Sequence, residues 1–442
     1  MQGLADDGGL FIPDNWPKVD INKLKELDTF LDVAKYIVPM FTQSSFDKSE
    51  VEEVLNNTWH DFSEKDLIKI FDIDESTSIL ELFHGPTAAF KDFGLQLAAA
   101  FFNKTLQTQN KTAVVFGATS GDTGSAAIDA CKEFDVIKSF ILIPDGNMSE
   151  IQRKQMTTVD KSNVFPILVS GTFDDCQDIV KKGFSERSFL RDDQYLLAVN
   201  SINWVRIIGQ ICYYFYASLI VNKLSHPLNF SVPTGNFGNV FACYAASKMG
   251  MPLEKIIVAV NSNDILDRFF KNNDYSKKTV SETISPSMDI SVASNFERLV
   301  YDFYLNRNSE ACSNLYNNFP EYGIKIDDEM WQKSEDLFMS YSINDDSTYE
   351  SMKFYNNEYN YVMDPHTAVA AEAVSSLKDK LKNKTIILST AHPAKFPNAL
   401  KNAGIISDDI PDNLSKVISK EEVASKLSAS EDSIFNYIEE NN

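Results

Sequence analysis

Positive charge is in short supply in this chain. Lysine and arginine number 41 against 63 aspartates and glutamates in 442 residues, a formal net charge of −22. Nucleic-acid binding rests on Lys and Arg neutralising phosphates, so no nucleic-acid partner is expected. A small anionic substrate stays open, because it needs only a local positive site. Cysteine is scarce too: Cys131, Cys176, Cys212, Cys243 and Cys312 are odd in number, scattered, and without C-x-x-C spacing. That suits a reducing compartment and offers no zinc site. The five histidines form no H-E-x-x-H pattern, so no metal is expected. The start of the chain lacks a basic region followed by an apolar stretch, so no signal peptide is read there. The longest apolar run, Ile211 to Val221, is far short of the ~20 residues that span a bilayer. These absences point to a cytoplasmic protein with no membrane partner. Internal repeats and low-complexity tracts are lacking as well. What remains is a globular composition, 43% hydrophobic and 12% aromatic, with length for roughly two or three domains.

Residues 1 to about 78 read as a small helical unit. Gly3 to Pro13 is a Gly-rich turn running into a short strand, and Asp28–Met40 and Ser49–Asn56 are helical, with Asp28 and Ser49 as N-caps. From about 79 strands alternate with helices: strand Ile79–Phe83, helix 91–108, strand Ala113–Phe116, helix 124–134, strand Ser139–Ile143, helix 149–158. Strand Val164–Val169, helix 174–188, strand Tyr195–Val199, helix 203–222, strand Asn229–Val232, helix 239–249 and strand Ile256–Val260 follow. The alternation predicts an α/β fold: open, mostly parallel twisted sheets with helices on both faces. Residues 262 to about 360, rich in Asn, Ser, Asp and Tyr, read as loops and helices laid over the sheet. Asp364 then caps a helix with Pro365 in its first position, and Thr385–Thr390 is a buried strand. The tail from Lys416 reads as a charged amphipathic surface helix. Ligands of open α/β sheets sit at the carboxyl ends of the strands, so the strand-to-helix loops are where chemistry is sought.

Four such loops stand out. The first, Glu81–Gly94, ends an apolar run in Gly85-Pro86-Thr87 and opens a helix with Lys91 in its first turn. A helix N-terminus carries positive partial charge and should lower the pKa of an amine placed there. A neutral amine is what forms a Schiff base with a carbonyl, the alternative being a solvated lysine at a helix start. The second, Gly117 to Gly124, has glycines before a helix, where backbone N–H groups converge on an anion. It lacks the spacing of a P-loop or of G-x-G-x-x-G, which leaves carboxylate or phosphate binding, or a plain βα turn. The third, Thr234 to Asn239, joins small residues to a helix start and makes a phosphate cradle. With no lysine or magnesium-binding carboxylate, it suits a cofactor monophosphate better than a nucleotide triphosphate, with a structural Gly turn as the alternative. The fourth, Leu388–Phe396, puts the Thr390 hydroxyl at the end of a strand, where it can meet a ring nitrogen or simply end the strand. His392 there reads as a structural hydrogen-bonder. A Schiff-base lysine, a phosphate site and a partner for a pyridine nitrogen are together what pyridoxal phosphate needs.

With these residues the chain resembles the threonine synthase family, in the pyridoxal-phosphate fold type II group that also holds tryptophan synthase β subunits and threonine dehydratases. Within the family it looks like the longer bacterial and fungal type. The matching segments are Gly3–Pro13, Glu81–Gly94, Ala118–Gly124, Gly171–Gln177, Asn200–Arg206, Val232–Asn239, Ser285–Arg298 and Ser389–Phe396, in the family's order over nearly the whole chain. The resemblance implies that Lys91 carries pyridoxal 5'-phosphate as a Schiff base and that Gly235, Asn236, Phe237, Gly238 and Asn239 hold its phosphate. Thr390 would meet the pyridine nitrogen, and Asp122 stands near the cofactor hydroxyl where shorter relatives have asparagine. Ser120, Gly121 and Thr123 would take the substrate α-carboxylate. Thr123, Ser201, Arg206 and Asn236 would surround the substrate phosphate. The implied reaction turns O-phospho-L-homoserine and water into L-threonine and phosphate by γ-elimination and β-hydration, in a monomer or homodimer. A related phospho-lyase giving 2-oxobutyrate and a non-catalytic homologue acting as a binding module are the alternatives. The family has a further segment before Gly3 with a Ser-Thr-Arg-Gly motif not found here, so the first unit, 1–78, is expected to be incomplete. A catalytic region 79–400, its smaller subdomain about 95–200 and an irregular one about 262–360, and a helical tail 401–442 complete the expected division.

Overall fold

The computed structural model describes residues 3–5, 7–119, 121–146, 148–198 and 200–442. Its strands are β1 Lys69–Asp72, β2 Thr77–Glu81, β3 Thr112–Ala118, β4 Ile137–Pro144, β5 Val164–Ser170 and β6 Gln194–Leu197. Then come β7 Leu228–Pro233, β8 Leu253–Val260, β9 Phe338–Ser342, β10 Thr385–Ser389 and β11 Ser425–Ser428. They form a larger sheet in the order β1-β2-β10-β7-β8-β9 and a smaller one in the order β11-β5-β4-β3-β6. Among the described residues β1–β2 is the only antiparallel strand pair, so the open, mostly parallel architecture expected from the alternation is what the chain adopts. The central strands β7 and β10 are buried along their whole length, as parallel strands covered by helices on both faces must be.

Helix Trp204–Asn222 runs through the larger core. By length and composition it is apolar enough to cross a membrane, a longer stretch than Ile211–Val221 suggested, yet 78% of that window is buried inside the protein. It crosses helix Lys91–Gln109 at two glycines. A Cβ on Gly94 would lie 2.8 Å from the Arg206 carbonyl oxygen, and one on Gly209 would lie 2.8 Å from that of Phe93. Only glycine permits backbones this close, and the crossing fixes the helix of Lys91 against the helix of Arg206. The N-terminal helices are held to the same core through Phe30, which makes edge-on contacts with Trp59 and Tyr216.

Several local expectations are corrected. Among the described residues of 3–13 there is no strand. Residues 7–13 run as irregular chain, held where the buried Arg298 donates from Nε to the Phe11 carbonyl at 2.8 Å. The cap of helix Phe30–Ile37 is Thr29 rather than Asp28, because Thr29 Oγ1 accepts the Asp32 N–H. That of helix Lys48–Asn56 is Asp47 rather than Ser49, in a reciprocal capping box with Glu50. The stretch 262–360 is not only a cover, since it supplies β9 to the larger sheet. The tail is not one surface helix. Helix Asp412–Ile418 leads to β11, which pairs parallel to β5, and helix Glu431–Asn441 then buries Ile434 and Ile438 completely. These two pack with Phe116, Phe140, Ile167 and Val169 of the smaller sheet. Ser-Lys-Leu-Ser is too short and polar to read as a strand, and its partner lies far away in sequence.

Truncating a buried Ile to Ala costs about 2–5 kcal/mol, whereas a surface change stays within about 0.5 kcal/mol. Ile434→Ala should therefore lower the unfolding free energy by at least about 2 kcal/mol in urea titration. A loss below about 0.5 kcal/mol would return the tail to the surface.

Candidate active site

Sheet order brings the four loops together. β2, β10 and β7 are neighbours in the larger sheet, so the lysine loop, the Thr390 corner and the Thr234–Asn239 turn leave side by side from their carboxyl ends. β3 and β6 are neighbours in the smaller sheet, and the helices that follow them in the chain carry Asp122 and Arg206. Two backbone hydrogen bonds clip the first pair of loops, Phe90 N–H to Thr390 O at 2.9 Å and His392 N–H to Ala88 O at 3.1 Å. Ala88 and Phe237 have left-handed φ angles of 54° and 62°. An L-residue held there costs about 1–2 kcal/mol and persists only where its surroundings impose it.

Lys91 opens its helix, with a side chain 11% exposed and an amine 3.6 Å from one oxygen of Asp122. The other Asp122 oxygen is 2.7 Å from the amine of Lys395, which is completely buried, and accepts a hydrogen bond from Gln152 Nε2 at 2.9 Å. Burial is the largest influence on Lys91 and lowers its pKa; Asp122 raises it, and Lys395 and Arg206 lower it again. The cause is thus mainly desolvation, where the sequence pointed to the helix dipole. Burial raises Asp122, but Lys395 and Lys91 together outweigh it and hold its carboxyl well below the usual range. Burial also lowers Arg206, to about 10. Two lysines share the Asp122 carboxylate, and Arg206 adds a further cation beside Lys91, a local excess of positive charge suited to anionic ligands.

The lysine loop is braced from behind. Thr87 donates its N–H at 2.9 Å and its hydroxyl at 2.5 Å to the buried carboxylate of Asp92, one residue past Lys91. Its carbonyl accepts from Lys395 at 2.8 Å and from Gln155 Nε2 at 2.9 Å. Asn413 Nδ2 donates to the Gly85 and Pro86 carbonyls at 3.1 and 3.0 Å. A Cβ on Gly85 would run into the Asp92 carboxylate, so glycine is required by that close approach. Reading the sequence missed Lys395, Gln152, Gln155, Asp92 and Asn413. A lysine in the polar corner after a buried strand, and two glutamines three apart on one helix, were the available signals.

The cradle lies at the start of helix Gly238–Met249, with Phe237 as its left-handed cap. A Cβ on Gly235 would lie 2.5 Å from the Ser287 carbonyl oxygen, so the turn is pressed against the loop at Ser285–Met288. Ser287 N–H in turn donates to His366 Nε2 at 3.2 Å, which places the ring proton on Nδ1, 2.7 Å from Asp364. Asn236 accepts on its carbonyl from Asn295 N–H and Nδ2 at 3.0 Å each, and its Oδ1 accepts from Ser294 at 3.3 Å. Ser294 and Ser201 share a hydroxyl hydrogen bond of 2.9 Å. Asn239 turns its Oδ1 to the hydroxyls of Tyr213 and Tyr214. Among the described residues its buried Nδ2 has no partner.

Of the residues expected to act, Lys91, Asp122, Arg206 and Thr390 are thus in or beside one buried centre. Gly121 and half-buried Thr123 lie at the start of the helix that carries Asp122. Ser201 and Asn236 are joined through Ser294. Ser120 lies outside the described residues. A desolvated amine, a helix-start turn free of acidic side chains and an excess of buried cations fit a phosphorylated carbonyl cofactor.

Three family descriptions match the chain: Threonine synthase N terminus over residues 1–59, Pyridoxal-phosphate dependent enzyme over 79–314, and Threonine synthase, C-terminal over 367–438. A threonine synthase from Pseudomonas aeruginosa is 40% identical over 426 residues, 96% of this chain and 90% of that one. One from Saccharomyces cerevisiae is 39% identical, over 94% of this chain and 89% of that one. The crystal structure of a PLP-bound threonine synthase from Brucella melitensis is similar with a TM-score of 0.95 at 35% identity, covering 99% of this chain and 95% of that one.

Burial, and next Asp129, push the Asp92 carboxyl up to about 7 against its Thr87 hydrogen bonds. Between about pH 4, where an unfolded aspartate titrates, and about 7, the folded chain keeps a proton that the unfolded chain has lost. This group's contribution to stability therefore falls as pH rises through that window and stays low above it. Asp92→Asn lacks the effect, so its stability relative to wild type should rise between about pH 4.5 and 7.5 in urea unfolding. A difference that is flat with pH would mean that Asp92 is ionised in the fold throughout.

Proposed function

The chain belongs to the threonine synthase family of pyridoxal-phosphate-dependent enzymes, and from that premise we propose that its Lys91 centre converts O-phospho-L-homoserine and water to L-threonine and phosphate. The observation that carries this reading is the Lys91 amine, desolvated at a helix start with two further cations and one shared carboxylate around it. When bound, pyridoxal phosphate supplies an electron sink for the α-carbon of the substrate.

Lys91 would hold the cofactor at its carbonyl carbon, and its amine would carry protons at the substrate Cα and Cβ. Gly235, Asn236, Phe237, Gly238 and Asn239 take the cofactor phosphate on amides at a helix start. Thr390 offers the pyridine nitrogen a neutral hydroxyl, which stabilises a ring proton less than a carboxylate would. Asp122 belongs to the cofactor side of the centre through its contact with Lys91. Ser120, Gly121 and Thr123 receive the α-carboxylate. Thr123, Ser201, Asn236 and Arg206 receive the substrate phosphate, and the planar fork of Arg206 suits two of its oxygens. Retention of the cleaved phosphate by these groups favours hydration over release of a 2-oxo acid. The five cysteines, all buried and none in a disulfide, support a reducing cytoplasm as the location.

Incubated with pyridoxal phosphate and O-phospho-L-homoserine, the full-length protein should yield threonine and phosphate in equal amounts. Predominant 2-oxobutyrate and ammonia, or no turnover, would overturn the reading. Lys91→Ala should lose the visible absorption of the bound cofactor and more than about 10³-fold in turnover. Arg206→Gln should raise KM at least about tenfold through loss of the forked contact, measured by steady-state kinetics.

A further inference from the structure

Lys395 is a second lysine in this centre. It is wholly buried, and its amine holds two partners from different loops, the Thr87 carbonyl at 2.8 Å and Asp122 at 2.7 Å. Asp122 thus divides its two oxygens between two amines, with Lys91 at 3.6 Å on the other. We propose that Lys395 is a positioning residue that shares Asp122 with Lys91 and thereby sets the protonation of the Lys91 amine. The inference deepens the reading of Lys91 given above and rests on it for the identity of the cofactor-bearing lysine.

The charged groups facing Lys91 are Asp122 from helix Asp122–Cys131, Lys395 from the corner after β10 and Arg206 from helix Trp204–Asn222. Seen from Lys91, the Asp122–Lys395 pair is neutral as a whole. Without Lys395, the full carboxylate charge would face Lys91 and hold its amine protonated, unable to attack a carbonyl. Without Asp122, the neighbouring positive charge of Lys395 would favour the neutral amine. Lys395 also ties Asp122 to Thr87, so the carboxylate from the smaller sheet keeps a fixed place against the lysine loop of the larger one.

This balance predicts shifts of opposite sign, which a merely structural lysine would not produce. In the full-length protein freed of bound cofactor, trace acylation of Lys91 with acetic anhydride across pH, read by peptide mass spectrometry, gives the pKa of its amine. Lys395→Met should raise that pKa by about 1–2 units, Asp122→Asn should lower it by a similar amount, and the double variant should bring it back near wild type. Lys395→Arg, which keeps the charge, should leave it near wild type. Should Lys395→Met fail to fold, Asp122→Asn and the double variant carry the same test, since the double must lie above the single. Equal-direction shifts, no shift, or a double variant no higher than Asp122→Asn would overturn the proposal. A protein that shows the opposite shifts but makes no threonine would overturn the proposed reaction alone.

Discussion

One carboxylate, that of Asp122, is shared between two buried amines, and much of the centre's arrangement follows from it. An isolated ionised carboxylate could not stay in such a place, because desolvation would drive it to take up a proton. Lys395 and Lys91 reverse that tendency and hold it ionised. The same contact keeps the lysines at a defined distance from the carboxylate and leaves the site with an excess of positive charge. Overall the chain is strongly acidic. The excess of positive charge is therefore local to this centre, where Lys395 and Arg206 lie near Lys91.

Holding that contact takes two sheets. Lys91 and Lys395 follow neighbouring strands of the larger sheet, while Asp122 follows a strand of the smaller one. Backbone bonds between the lysine loop and the Thr390 corner make a single rigid edge. Behind it, the Thr87 carbonyl is filled on both lone pairs by Lys395 and Gln155, and Asp92 fixes the other side of the same residue. The left-handed backbone at Ala88 and Phe237 is tolerated because these supports leave no relaxed alternative. Bracing of this kind is what keeps a reacting amine within reach of its target.

A second line of support reaches the turn at Gly235–Asn239. Gly235 presses on the Ser285–Met288 loop, which His366 and Asp364 anchor to the helix after the irregular stretch. Asn295 fastens Asn236, and its neighbour Arg298 reaches both Ile202 and Phe11. The motif Ser294-Asn295-Phe296-Glu297-Arg298 thus joins the cradle, the segment before Arg206 and the first residues of the fold. Its conspicuous polar residues are structural fasteners more than reacting groups.

Read alone, the sequence determined the alternation of strands and helices, the helix start at Lys91, the turn at Gly235–Asn239 and the strand end at Thr390. These are local signals, set by periodicity, by capping and by the backbone freedom of particular residues. β1, β9 and β11 escaped it because four or five residues without a clear period form strands only when a partner strand is present. Lys395, Gln152 and Asp92 escaped it for another reason. Coulomb attraction and desolvation depend on distance and burial in space, and the partners of these residues come from separate loops. The chain spelled out which chemical groups were present at the strand ends. Only the packing of two sheets decided that two largely buried lysines would share one aspartate, because their partners come from strands far apart in sequence.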